Sequence, residues 1–335
     1  MLNTNEVSDQ QIERAVSLLR AGKLVAFPTE TVYGLGADAS NVSAIRGVFS
    51  AKHRPADHPL IVHLSDTAGL KHWASDVPRE AWLLAEAFWP GPMTIVLPRA
   101  AHVLSEVTGG QSTVALRVPS HPIARRLLNA FNGGIVAPSA NRFGRLSPTT
   151  AEHVREELDD AVDLILDGGM CSVGIESTIV AFRDGRAVVL RPGAVTAEQI
   201  EATLNSVLAA PSQSSPRVPG SLASHYAPRT PLRVVEPEDV EQILSGESAN
   251  GPVAVLARRE RPHETQAALW QIAAQSPAEY ARNLYGLLRR MDSAGCQLII
   301  VEAAPDLPEW TAIRDRLMRA ATEDVSFAEA DTPHA

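Results

Sequence analysis

Cysteine is almost missing from this chain: Cys171 and Cys296 are the only two among 335 residues, far apart and without a partner motif. A disulfide framework is therefore excluded, and no zinc-type spacing is available. Long apolar runs are missing too. No stretch approaches the length that spans a bilayer, and the N-terminus lacks the basic-then-apolar pattern of a secretory signal. A soluble protein of the reducing cytoplasm is expected, with no membrane partner. Positive charge is in the minority, with 30 Lys and Arg against 39 Asp and Glu and a net charge of -9. Chains that coat nucleic acid have the opposite balance, so stable nucleic-acid binding is not expected. Metal-ligand spacing, a Walker loop, a kinase signature and internal repeats are absent as well.

What is present reads as alternating α/β structure. The hydrophobic content of 45% is ample for packed cores, and the length suggests two domains. Ser8 with Gln11 and Thr196 with Gln199 are capping-box pairs that start helices, and Ser43 is placed to cap a short helix ending before Lys52. Asp184-Gly185 between two apolar runs predicts a hairpin. From Ala209 to Pro231 five prolines and several serines break the pattern, which marks a linker. Beyond it strands and helices alternate over 232–235, 237–244, 252–257, 277–290, 297–301 and 309–319, the pattern of a small three-layer α/β domain. The expected division is 1–208, a linker at 209–231, a second domain at 232–324 and a loose tail at 325–335.

The chemistry gathers where short apolar strands stop at proline or glycine. Thr29 and Thr31, then Lys52, Arg54 and His63, then Thr113 and Arg117, then Ser139, Asn141 and Ser147, and finally Ser177 and Thr178 with Arg191 all occupy such positions. Ligands of open α/β sheets sit at strand ends. Lys52 and Arg54 would share one face of an extended segment and so point at one ligand. The mix is rich in cations and hydroxyls and poor in candidate carboxylates, which suits anion binding better than paired-acid or triad chemistry. Each residue also has a plain reading: strand-end hydroxyls for Thr29 and Thr31, an edge position for Arg117, an ordinary turn for Ser139. Glu176 and Asp57 fit salt bridges better than metal ligation. Composition and spacing alone stop at an anion-binding α/β enzyme.

A resemblance goes further. Phe27-Pro28-Thr29-Glu30-Thr31-Val32-Tyr33-Gly34-Leu35-Gly36, Lys52-His53-Arg54-Pro55, Pro59-Leu60-Ile61-Val62-His63, Ser139-Ala140-Asn141, Glu176-Ser177-Thr178, Arg191-Pro192-Gly193 and His225-Tyr226-Ala227-Pro228 closely resemble the threonylcarbamoyl-adenylate synthase family in its long form. The motifs run in order through residues 1–230, while 231–335 resembles the family in length and layout only. The resemblance implies a YrdC-like twisted mixed open sheet with flanking helices, plus a small Rossmann-like C-terminal domain. It implies a nucleotidyltransferase that builds threonylcarbamoyl-AMP from L-threonine, bicarbonate and ATP and releases pyrophosphate. A separate transferase complex then moves the threonylcarbamoyl group to tRNA, giving threonylcarbamoyladenosine.

By the same resemblance, Thr31, His63, Arg117, Ala137 (through its backbone) and Ser177 would hold threonine or its carbamoyl group. Arg54, His58, Thr113, Ser139, Ser147 and Arg191 would hold ATP. Lys52, Arg54 and Asn141 would complete the catalytic phosphate cradle, with Mg2+ accompanying ATP through ligands the sequence does not name. The chain departs from the family pattern at His58, where Asn is usual, and at Ser221-Leu222-Ala223-Ser224, where the family has a bulky, basic run. The stiff, ring-bearing linker is expected to act as a lid through His225 and Tyr226. A different class of function is an RNA-binding module, for tRNA or duplex RNA, that grips phosphates with Lys52, Arg54, Arg142 and Arg145. A carbamoyl-adenylate enzyme of hydrogenase maturation is excluded, because such chains carry cysteine-rich zinc modules.

Overall fold

The computed structural model describes residues 7–220 and 226–321. Strands β1 (Val25–Phe27), β2 (Gly34–Asp38), β3 (Ile61–His63), β4 (Met93–Pro98), β5 (Thr113–Arg117), β6 (Ile135–Val136), β7 (Leu164–Ile165), β8 (Thr178–Arg183) and β9 (Arg186–Arg191) form a 9-stranded sheet in the order β7-β1-β2-β6-β3-β5-β4-β8-β9. The pairs β1–β7, β3–β5 and β4–β8 are parallel and the other neighbours antiparallel, so the sheet is mixed, and its two edges make it open. The Asp184-Gly185 turn has both residues at positive φ (52° and 74°), which joins β8 to β9 as a tight hairpin, as the dipeptide predicts.

Helices α1 (Asp9–Arg20), α2 (Val42–Lys52), α3 (Leu70–Trp73), α4 (Arg79–Phe88), α5 (Ser105–Thr108), α6 (Pro122–Phe131), α7 (Ala151–Leu158) and α8 (Ala197–Leu204) flank this sheet. Apolar residues recur on one face of each longer helix, and that face is what they bury. Ile12, Ala15, Val16 and Leu19 of α1 pack with Ile123, Leu127 and Leu128 of α6 against Val25, Phe27 and Ile135. The opposite side of the sheet carries the largest cluster, with α2 and α4 on Leu35, Val62, Ile95, Leu116 and Val180. A smaller group, Ile61, Val96, Ala115, Ile179 and Ala181, packs with Val218 of the linker, and among the described residues no helix contributes to it.

The C-terminal part runs β10 (Leu232–Val235), α9 (Val240–Glu247), β11 (Val253–Ala257), β12 (Leu269–Ile272), α10 (Pro277–Asp292), β13 (Leu298–Glu302) and α11 (Thr311–Ala320). Its sheet is parallel throughout, ordered β10-β13-β11-β12. Successive side chains alternate between its faces. Val253, Val255 and Ile300 meet α9, while Ala254, Leu256, Ile299 and Val301 meet α10 and α11, which makes three layers.

Some local expectations differ from the structure. Asn41, not Ser43, caps α2, because its side-chain oxygen accepts from the Ser43 and Ala44 amides. Lys52 is the last residue of that helix and His53 is left-handed at its end (φ 51°), so Lys52 and Arg54 are not alternate residues of an extended segment. Strand β12 has no counterpart among the expected elements. It is a partly exposed edge strand of the sequence Leu-Trp-Gln-Ile, and its pairing with β11 supplies the order that its short pattern does not. The tail at 325–335 lies outside the described residues.

Candidate active site

Parallel pairing of β3 with β5 sets His63 opposite Arg117 and Ile61 opposite Ala115. With a side-chain period of two, all four point to the face that helices leave partly open. There Ile61, His63 and Arg117 border a cavity of about 50 Å³ whose walls also include Thr31, Arg54, Ala137, Ser139, Ser177 and Arg191. The fold thus brings together most of the residues picked from separate strand ends. Glu176, Pro219, Gly220 and Tyr226 also line it, the last three from the linker. A roomier cavity of about 540 Å³ lies between the two domains, but its lining is mostly apolar and offers little chemistry.

Every strong charge around the small cavity is buried and held. Arg117 donates from Nη2 to Glu30 Oε1 at 2.7 Å and from Nε to the Gly91 carbonyl at 3.3 Å. Glu30 Oε2 also accepts from the Ser120 amide at 3.0 Å. Burial opposes ionisation of Glu30, yet the Arg117 charge and hydrogen bond outweigh it and lower its pKa. Burial, reinforced by Arg117, lowers the His63 pKa to about 3, so its imidazole is neutral, and its Nδ1 is buried without a hydrogen-bond partner. Arg54 donates from Nη2 to the Pro59 carbonyl at 3.0 Å, while its Nε is buried with no partner. Burial lowers its pKa to about 10, which leaves it cationic at neutral pH.

Arg191 ties several walls together. Its Nε and Nη2 donate to the Ser177 carbonyl at 3.1 and 2.9 Å, and its Nη1 donates to the Pro219 carbonyl of the linker at 2.9 Å. The Ser177 hydroxyl pairs with Thr94 Oγ1 at 2.7 Å, and Thr31 with Thr29 through their hydroxyls at 2.8 Å. Gly193, two residues after Arg191, runs so close to β8 that a Cβ there would lie 2.3 Å from the Thr178 amide nitrogen.

Other expected site residues stand outside the cavity lining. Lys52 is fully buried behind the Ser139–Asn141 turn and donates to both of those carbonyls at 2.5 Å. Burial and the neighbouring Arg54 push its pKa well down. Asn141 bonds the Arg142 and Arg145 carbonyls through Nδ2, at 2.9 and 2.8 Å. Ser147 is buried one step back and donates to Glu176 Oε1 at 2.5 Å. Thr113 starts β5 opposite Pro98, and His58 is half-buried in the loop before β3 with its ring against Phe143. His225 lies outside the described residues, as does the departure at 221–224.

The RNA-binding alternative loses its grip at this point. Lys52 and Arg54 are buried and Arg145 pairs with Asp292, which leaves Arg142 as the one exposed cation of the four, so they do not form a shared open basic surface. Sequence reading also passed over Glu30, Tyr285 and Arg316. Arg316 left a trace, since it falls on the stripe Ala312, Ile313, Arg316, Leu317, Ala320 that α11 buries. A charge on an apolar stripe marks a buried partner.

An open mixed sheet with a cation-walled cleft bordered by a linker defines a YrdC-like fold. Residues 17–193 match the Sua5/YciO/YrdC family, described as telomere recombination, and residues 195–322 match the family described as threonylcarbamoyl-AMP synthase, C-terminal domain. The chain is 41% identical over 330 residues to a threonylcarbamoyl-AMP synthase of Bacillus subtilis (strain 168), covering 95% of each protein. It is 38% identical over 333 residues to that of Pyrococcus abyssi (strain GE5 / Orsay), covering 96% of this chain and 97% of the relative. The crystal structure of P. abyssi Sua5 complexed with L-threonine superposes with a TM-score of 0.88 at 36% identity, over 94% of this chain and 95% of that one. The chain belongs to the threonylcarbamoyl-AMP synthase family, in its long two-domain form.

Proposed function

We propose that this protein synthesises threonylcarbamoyl-AMP from L-threonine, bicarbonate and ATP, as a nucleotidyltransferase supplying the threonylcarbamoyladenosine modification of tRNA. The observation that carries the reading is the pair of unmet buried groups on cavity-lining residues, His63 Nδ1 and Arg54 Nε. Buried polar groups left without partners call for an explanation, and a polar ligand supplies one. The names of the relatives, and the threonine bound to one of them, support the same reading.

In this scheme Arg117 grips the threonine carboxylate with its planar fork, and neutral His63, Thr31, Ser177 and the Ala137 backbone surround the rest of the amino acid. The amine bonds to the carbon of bicarbonate with loss of water, leaving an N-carboxylate. One carboxylate oxygen then bonds to the α-phosphorus as the bond from phosphorus to the pyrophosphate oxygen breaks. Arg54 and Arg191 neutralise charge gathering on the phosphates, with Ser139, Ser147, Thr113 and His58 assigned to the rest of ATP. Lys52 and Asn141 act by holding the Ser139–Asn141 turn. Glu30 and Glu176 are both committed to arginines, so these carboxylates do not suit a resident metal, and Mg2+ would arrive with ATP and share in neutralising its phosphates.

Pro219, Gly220 and Tyr226 of the linker line the cavity, a position from which the linker can act as a lid over the bound substrates. Among the described residues no helix is long and apolar enough to cross a membrane, and a cytoplasmic place beside the tRNA-modifying transferase complex fits the substrates. The decisive assay is pyrophosphate release from ATP and bicarbonate with each amino acid in turn. Threonine is expected to lead, with serine slower by the loss of one methyl, about 1–3 kcal/mol. Equal rates with both, or a rate independent of any amino acid, would refute the assignment.

A further inference from the structure

We propose that Arg316 of the C-terminal domain is a positioning residue for the reaction, a clamp that makes the seating of that domain and the closure of the linker a single event. Its side chain has no exposure at all. Nε donates to Glu176 Oε2 at 2.7 Å, Nη2 donates to the Pro192 carbonyl at 3.0 Å, and the guanidinium lies 5.1 Å from the centre of the Tyr226 ring. Nη1 is held by Asp315 of its own helix at 2.5 Å. Glu176 is gripped from the same domain a second time, by the Tyr285 hydroxyl of α10 at 3.0 Å.

These contacts fall beside the working walls of the cavity. Glu176 immediately precedes Ser177, Pro192 immediately follows Arg191, and Tyr226 belongs to the linker that roofs it. Arg191 then passes the constraint on, since it bonds both Ser177 and Pro219. One side chain of the second domain thereby fixes the start of β8, the end of β9 and the lid. Burial opposes ionisation of Glu176, but the charges of Arg316 and Arg191 and the Ser147 hydrogen bond overcome it and hold the pKa at about 2.

Adhesion alone is a poor account of such a residue. Apolar side chains of similar volume join two surfaces at least as well as a buried ion pair, because they carry no desolvation penalty. What the fork adds is direction: distinct donors aimed at distinct acceptors. A misplacement near 1 Å is enough to cost about a hundredfold in rate, so direction at Ser177 and Arg191 matters to turnover.

The test compares the full-length protein with Glu176→Gln/Arg316→Met, Arg316→Lys and Tyr285→Phe, by steady-state pyrophosphate release and by native-state hydrogen exchange. The double variant removes both charges together and keeps the packing. Its β11 and β13 amides should stay protected, while the Thr178, Val195 and Ala227 amides exchange about tenfold faster or more. Its KM for threonine should rise about tenfold, a change that a smaller folded fraction does not produce. Arg316→Lys can reach Glu176 but not Pro192 at the same time, so Val195 should loosen while Thr178 stays protected. Tyr285→Phe should loosen Thr178 alone. Unchanged exchange at these amides together with an unchanged KM would overturn the clamp. If the double variant loses the C-terminal sheet, the lysine and phenylalanine variants decide by the same criteria. The kinetic arm rests on the proposed activity, whereas exchange does not. Absence of threonine-dependent turnover in the unaltered protein would refute the activity and leave the clamp to be judged by exchange.

Discussion

In the proposed scheme Glu30 competes with the threonine carboxylate for Arg117, and Glu30→Gln tests that competition. The carboxylate makes two contacts, to Arg117 Nη2 at 2.7 Å and to the Ser120 amide at 3.0 Å, and both ion-pair side chains are only 5–6% exposed. Removing one partner of such a pair costs about 3–5 kcal/mol, because the other charge is left buried. Glutamine keeps one oxygen and places a second donor against Arg117 or Ser120. One contact survives, so the cost should fall at the low end, about 3 kcal/mol, or roughly 4 °C in melting temperature. The effect on threonine has the opposite sign. In the variant Arg117 has no negative partner where the amino acid carboxylate is assigned, and there is one fewer negative charge to repel that carboxylate. Threonine should bind about tenfold more tightly, a gain of about 1.4 kcal/mol. Calorimetric titration with threonine and melting at one fixed threonine concentration read this directly. A threonine Kd that is unchanged or weaker in a folded variant would show that Arg117 is not the carboxylate partner.

Further outcomes follow from the same geometry. His63 has its pKa lowered from 6.5 to about 3, so between those values the unfolded chain binds a proton that the folded one does not. Its contribution makes stability fall as pH falls through that window, by up to about 1.4 kcal/mol per pH unit. Urea midpoints at pH 7 and 5 should therefore converge more in His63→Gln than in the unaltered protein, and an equal gap in both would contradict it. Arg54→Ala should lower kcat by roughly 2.7–4 kcal/mol of transition-state stabilisation while threonine affinity holds; near-normal turnover at saturating ATP would make Arg54 a bystander. Gly193→Ala puts a methyl group 2.3 Å from the Thr178 amide nitrogen and 2.7 Å from the Glu176 carbonyl. It should destabilise the protein by about 1–3 kcal/mol and weaken threonine binding, seen as a lower melting point and a smaller threonine-induced shift.

Much of this was legible in the sequence. Both capping boxes form where Ser8–Gln11 and Thr196–Gln199 stand, and Asp184-Gly185 turns as its residue types require. Such signals act over a few residues, so the chain states them locally. The strand-end clusters from Thr31 to Arg191 also pointed to one cleft, because a strand that stops at proline or glycine leaves its polar end groups at the sheet's rim. What the sequence did not determine is who faces whom. Lys52 turned out to brace a turn from the end of a helix, since one left-handed residue, His53, redirects the chain between it and Arg54. The Glu30–Arg117 pair spans 87 positions and the Glu176–Arg316 pair 140. No local propensity reaches that far. Only the packing of the second domain brings Arg316 to the cleft, and only there does low dielectric turn the pair from an ordinary surface contact into a constraint on the site.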